Sequence, residues 1–209
     1  GGSGGNADGW VYNWNSNYTT LASGESAIAM GTNATASGRH SVAIGNGNVA
    51  SGFNTTVLGN NGTASGSGST VIGGGTASGN ISIAMRGESA GAGSVAVMGG
   101  TTDSAAEGGL AMGMGTQSTA KGAIAIGSNE TATTPPYAPL TTTKAGGEYA
   151  VALGNSSQAL GKKSLAGIGA TTETAAENAF AVGADAKASL ADSVALGSAS
   201  VANTASGAK

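Results

Sequence analysis

One short phrase recurs along the whole chain: a small residue, an apolar residue, Ala, an apolar residue, then Gly. It stands as Ser41-Val42-Ala43-Ile44-Gly45, Ala123-Ile124-Ala125-Ile126-Gly127 and Ser193-Val194-Ala195-Leu196-Gly197, with nine looser copies among them. The closing Gly falls at 31, 45, 59 and 73, then at 99, 113 and 127, then at 154, 169, 183 and 197, mostly at intervals of 14. The 26-residue gap between Gly73 and Gly99 reads as two turns of 13 around Met85 and Arg86. The 27-residue gap between Gly127 and Gly154 reads as one turn plus about 13 inserted residues. Twelve copies in phase are not a product of chance, and units this short stack into a solenoid rather than fold as a globule.

A second phrase lies between the copies, as Ala34-Thr35-Ala36-Ser37-Gly38, Val49-Ala50-Ser51-Gly52, Thr63-Ala64-Ser65-Gly66 and Thr76-Ala77-Ser78-Gly79. Alternation of apolar and small residues, rich in Val and Ile, is a strand pattern. Gly supplies the turns, where positive φ or close backbone approach is required. Fourteen residues therefore give two short strands and two tight turns. The predicted fold class is all-β: a parallel β-solenoid of about 12 turns, roughly 55 Å tall at ~4.8 Å per turn. Composition agrees with a thin coil. Gly and Ala supply 80 of 209 residues, and Leu, Ile, Val and Phe only 30, below the ~20% that ordinary folding needs. Charged residues are 9% of the chain and the net charge is −3, so the chain lacks the high charge of a disordered polymer.

Two strands closed into so narrow a coil leave room inside for Ala, Ser and Gly, and none for Val or Ile. Val42 and Ile44 lie on one side of their strand and Ala43 on the other. We assign the Ala side to the interior. The other side then forms an apolar stripe: Ile28, Met30, Val42, Ile44, Leu58, Ile72, Ile83, Met85, Val95 and Val97 in the first half of the chain. It continues as Leu110, Met112, Ile124, Ile126, Val151, Leu153, Phe180, Val182, Val194 and Leu196 in the second half. A stripe of that length predicts self-association about an axis parallel to the coil stack. The opposite assignment, with Val and Ile inside and a stable monomer, stays open at this point.

The Ser-Val-Ala-Ile-Gly phrase at 41–45, repeated at a 14-residue phase with Ala-x-Ala-x-Gly between copies, resembles the head domains of YadA-like trimeric autotransporter adhesins. The resemblance covers about residues 24–207. It implies a left-handed parallel β-roll assembled as a homotrimer, the outermost part of a surface adhesin. A coiled-coil stalk and an outer-membrane anchor on a Gram-negative bacterium complete such a protein. The implied partners are host extracellular matrix proteins (collagen, fibronectin, laminin) or the host cell surface, bound without catalysis or cofactor. The alternative is a structural spacer that presents another binding domain. Ser200-Val201-Ala202-Asn203 resembles the approach to the family's neck, but Thr204-Ala205-Ser206-Gly207 stands where a valine-rich stretch is expected.

Three divisions follow. Residues 1–23 are a Gly-rich lead-in and an aromatic cap, 24–197 the repeats, and 198–209 the start of a neck or a truncated repeat. The segment with Trp10, Tyr12 and Trp14 reads either as the cap that closes the first turn or as a binding tip. All three prolines fall in the insertion at 128–148, which loops out because Pro cannot donate to a ladder. Pro135, Pro136 and Tyr137 are its candidate ligand-binding residues, since loops on a rigid frame carry specificity.

Other chemistries find little support. Gly87-Glu88-Ser89-Ala90-Gly91 fits a nucleophile-elbow pattern, but Gly is abundant and the lone histidine, His40, precedes Ser89, against the order of that fold. Gly161-Lys162 is followed by Lys163, not by the Ser or Thr of a phosphate-binding loop. Zero Cys excludes disulfides and thiolate metal sites. Eight Lys and Arg residues give no nucleic-acid footprint. Arg39 and His40 read as solvated turn residues, and Arg86 as a bulge.

Overall fold

The computed structural model describes residues 10–12, 19–131 and 139–204. Trp14, Pro135, Pro136 and Tyr137 lie outside them. The chain divides into two compact units, Gly1–Met98 and Gly99–Lys209. Each unit is a parallel β-solenoid, and the two together hold about twelve coils.

Every coil gives one strand to each of two sheets. In the N-terminal unit the first sheet runs Trp10–Tyr12, Ile28–Met30, Val42–Asn46, Thr56–Asn60, Thr70–Ile72, Ile83–Met85, Val95–Val97. Its second sheet runs from Leu21–Ala22 through Thr35–Ala36, Val49–Ala50, Gly62–Ala64 and Gly75–Ala77 to Glu88–Ser89. In the C-terminal unit the first sheet is Leu110–Met112, Ile124–Ile126, Val151–Leu153, Leu165–Gly167, Phe180–Val182, Val194–Leu196. Its second sheet runs from Thr101–Thr102 to Val201–Ala202. Equivalent residues of successive coils pair directly, as in Val42↔Thr56, Ala43↔Val57 and Ile44↔Leu58.

The apolar part of the interior is built almost entirely from alanine. Ala29, Ala43, Ala84 and Ala96 in one unit, and Ala111, Ala125, Ala152 and Ala166 in the other, have no exposed surface. The second sheet contributes Ala36, Ala50, Ala64, Ala145 and Ala159 from the facing side. Val57 and Val71 are also fully buried, so the expectation that no valine fits inside is corrected. The space comes from Gly62: a Cβ there would lie 2.8 Å from Val57 Cγ1 and 2.9 Å from Val71 Cγ1. Two large inward residues are thus accommodated by a missing one across the coil.

Polar atoms complete the core. The hydroxyls of Ser69, Ser82, Ser94 and Ser164 donate to the carbonyls of Gly66, Gly79, Gly91 and Gly161, three residues earlier, at 2.6–2.7 Å. This bond ties each tight turn to the strand that follows. Asn48 is buried at another corner, where Nδ2 donates to the Ile44 carbonyl at 2.7 Å and Oδ1 accepts from Gly62 N–H at 2.9 Å. The closing Gly is required by geometry. At Gly45 φ is +124°, and a Cβ would sit 1.8 Å from the Gly59 carbonyl oxygen.

The 26-residue gap after Gly73 is not two equal turns. Thr70 pairs with Ile83, a step of 13, and Ile83 with Val95, a step of 12. Met98, at φ +52°, and not Gly99, follows that last strand directly. Nor does Arg86 mark a bulge. It sits in the left-handed region at φ +56°, its N–H faces the carbonyls of Ile72 and Gly74, and the strands beside it pair without a break. At φ near +55° a side chain is strained but allowed, whereas at +124° it is excluded. Hence non-glycine residues close some coils.

Candidate functional site

The largest chemical feature of each unit is the outer face of its first sheet. The middle residue of every strand points in, so the two flanking residues point out. Met30, Ile44, Leu58, Ile72 and Met85 are each 37–41% exposed and form one file of neighbouring side chains in the N-terminal unit. Ile28, Val42, Thr56, Thr70, Ile83 and Val95 form the parallel file, and Val97 extends the first. In the C-terminal unit the files are Leu110, Ile124, Val151, Leu165, Phe180, Val194 and Met112, Ile126, Leu153, Gly167, Val182, Leu196. All twenty residues expected in the stripe lie on these outward positions, none of them fully buried. Thr56, Thr70 and Leu165 belong to the same files and were missed, because the phrase was sought as apolar-Ala-apolar and these coils depart from it. Register, and not residue type, identifies them.

Two other segments were singled out. Trp10–Tyr12 is a strand of the first sheet, paired parallel with Ile28–Met30 through Trp10↔Ile28 and Tyr12↔Met30. Trp10–Tyr12 therefore occupies the edge of the sheet beside Ile28–Met30. In the insertion, Glu130–Thr131 pairs antiparallel with Pro139–Thr141. The chain is back in the coil at Thr143, whose buried hydroxyl lies 2.7 Å from the Ser128 carbonyl and 2.8 Å from that of Gly154. The excursion thus occupies about 13 residues, 130–142, at the corner between the two sheets.

Charge collects on a different corner. Glu25 and Arg39 pair at 3.0 Å, Glu107 and Lys121 at 3.0 Å, and Glu148 and Lys162 at 3.1 Å. Arg39 Nε also donates to His40 Nε2 at 3.2 Å, and its guanidinium lies over the Phe53 ring. The lysine ammonium groups are held above their ordinary range: hydrogen bonds from Lys121 to Glu107 and from Lys162 to Glu148 are the largest causes. Arg39 and His40 are exposed, as expected, but they are not free.

The elbow-like serine is not displayed. Ser89 is buried in the coil, with its Oγ 2.7 Å from Ser94 Oγ and 3.0 Å from the Ser94 carbonyl. Among the described residues no group of three or more His, Cys, Asp or Glu side chains could hold a metal ion. No described helix is long and apolar enough to cross a membrane.

Comparison with known families agrees with the repeat geometry. The model of the YadA head domain repeat matches residues 22–48, 50–76, 145–166 and 175–200. The matched stretches fall in both units, and each contains outward apolar positions of the first sheet and inward alanines. No curated protein matches the chain. With the coil register, the alanine interior and the matched repeats taken together, the chain belongs to the YadA-like head domains of the trimeric autotransporter adhesins.

Proposed function

We propose that three copies of this head associate through the outer faces of their first sheets, and that the assembled head is the adhesive part of a bacterial cell-surface protein. The observation that carries this reading is the pair of apolar files on each unit. A monomer rarely leaves contiguous apolar columns in water, and a shared axis sets the same residues of each copy against one another. On this reading the twenty stripe residues are a core divided among three chains. Outer-membrane anchoring, a left-handed coil and a host ligand follow from family membership as part of the proposal.

The ligands proposed are collagen, fibronectin or laminin, or the host cell surface. The candidate contact residues are Trp10, Tyr12 and Trp14 at one end of the repeats, and Pro135, Pro136 and Tyr137 in the insertion. Three copies of each weak site raise avidity without any new contact. The test is binding of the purified chain to those three proteins and to epithelial cells, beside a variant lacking residues 130–142. That deletion joins Asn129 to Thr143 and restores a 14-residue coil, so the variant keeps its fold. Saturable binding by the intact chain supports the adhesin, and its loss in the deletion variant assigns specificity to the insertion. Binding to none of the surfaces favours the spacer reading.

A further inference from the structure

The coils of the C-terminal unit resemble one another so closely that strand pairing alone does not say which coil stacks on which. Leu110-Ala-Met, Ile124-Ala-Ile and Val151-Ala-Leu present nearly the same edge. A coil left out of the stack would still allow its two neighbours to pair. Register is weakly specified wherever the alternatives are so alike.

One corner breaks this degeneracy. Glu107, Lys121, Glu148, Lys162 and Glu177 occupy the same place in five successive coils, the first residue of the tight turn. The backbone fixes the column: the carbonyls of Glu107, Lys121, Glu148 and Lys162 accept from Gly122, Tyr149, Lys163 and Asn178, each the residue that follows the next member. Lys121 pairs with Glu107 at 3.0 Å and Lys162 with Glu148 at 3.1 Å. The field of Glu148 reaches Lys121, and that of Glu177 reaches Lys162. The signs alternate without exception over the five positions.

We infer that this alternating column selects the coil register during folding. Omit the coil of Lys121 and Glu107 meets Glu148. Omit the coil of Glu148, which carries the insertion and is the easiest to exclude, and Lys121 meets Lys162. Omit the coil of Lys162 and Glu148 meets Glu177. Each of these three omissions sets like charges on coils about 4.8 Å apart, where unlike charges now pair. Surface ion pairs add little to stability, so the column acts through what it opposes in the wrong stack.

Two variants of the full chain test this. Glu148→Lys with Lys162→Glu keeps the composition but breaks the order to minus, plus, plus, minus, minus. Reversing all five charges keeps the alternation while changing every residue. Each is unfolded in denaturant, refolded and read by hydrogen exchange with mass spectrometry over peptides from 108 to 177. The inverted chain and the native chain are each expected to refold to one species. The broken-order chain is expected to give a bimodal isotope pattern, with one coil unprotected in part of the molecules. Failure of the broken-order chain alone to fold supports the inference equally. A single protected species in the broken-order chain, or equal impairment of both variants, overturns it. Refolding the native chain at about 1 M salt, where screening acts over ~3 Å, is expected to bring out the slipped species.

Discussion

Gly62 has no space for even one more carbon, since Val57 and Val71 fill the coil in front of it. Gly62→Ala is expected to destabilise the chain by about 1–3 kcal/mol, the usual cost of overpacking. Adding Val57→Ala is expected to return part of that loss, with a coupling of roughly 0.5–3 kcal/mol in a denaturant double-mutant cycle. Additive losses would mean the two side chains do not share this volume. The buried hydroxyls make a second contrast. Ser82 donates to the Gly79 carbonyl at 2.7 Å, whereas the Ser41 hydroxyl is buried with no partner. Ser82→Ala is expected to cost about 1 kcal/mol, and Ser41→Ala nothing or less than nothing. Ile81 is a third case, a β-branched residue at φ +56° with 73% of its surface exposed. Asn54, one residue before Thr55 as Ile81 is before Ser82, takes the same conformation with a side chain that tolerates it. Ile81→Asn is expected to stabilise by up to about 1 kcal/mol in thermal unfolding.

At the scale of the coil, period-2 alternation separated the two faces of each strand, and the buried alanines decide which face is enclosed. Ala43 and Val42 fall on opposite faces in any extended strand, and alanine fills the enclosed side of the first sheet from Ile28–Met30 onward except at Val57 and Val71. The exceptions were hidden for a definite reason. Val57 points inward only because Gly62 lies across from it, a relation between residues of different sheets that no local pattern carries. The steps of 13 and 12 after Thr70 were misjudged for a similar reason, because Met98 adopts a turn conformation expected of Gly99. Ion pairs between coils also escaped the sequence reading. Lys187 and Glu173 meet at 2.5 Å, and that hydrogen bond holds the Glu173 carboxyl below its ordinary 4.5. A carboxylate with a lowered folded-state pKa stabilises the fold above 4.5, and the benefit is lost as pH falls through the folded-state value. The melting temperature of Lys187→Gln is therefore expected to lie slightly below that of the native chain at neutral pH. The gap is expected to close once the pH has fallen through the folded-state value, and a gap that persisted in acid would assign the effect to packing of the lysine stem.

For the whole molecule, the question is what covers the outward files. In the isolated chain Leu58 and Ile44 are each 37% exposed, and Val194 and Leu196 about 60%. These residues point away from the interior of the coil, and the proposed assembly gives their apolar surface something to bury against. The family and the face were legible in the sequence through the phased repeat. The assembly was not, because on the proposed reading the core is divided among copies of one chain, and how those copies meet is a relation between chains that no local pattern carries. Leu58→Asp, on an outward position, is expected to leave the coil folded by circular dichroism yet weaken assembly, since it places a charge where apolar side chains should meet. The most direct measurement is the mass of the native chain in solution by multi-angle light scattering. The account predicts a mass near three times 19.5 kDa, dissociating toward monomer in the Leu58→Asp variant. A folded native chain with a mass of 19.5 kDa at micromolar concentration would contradict it.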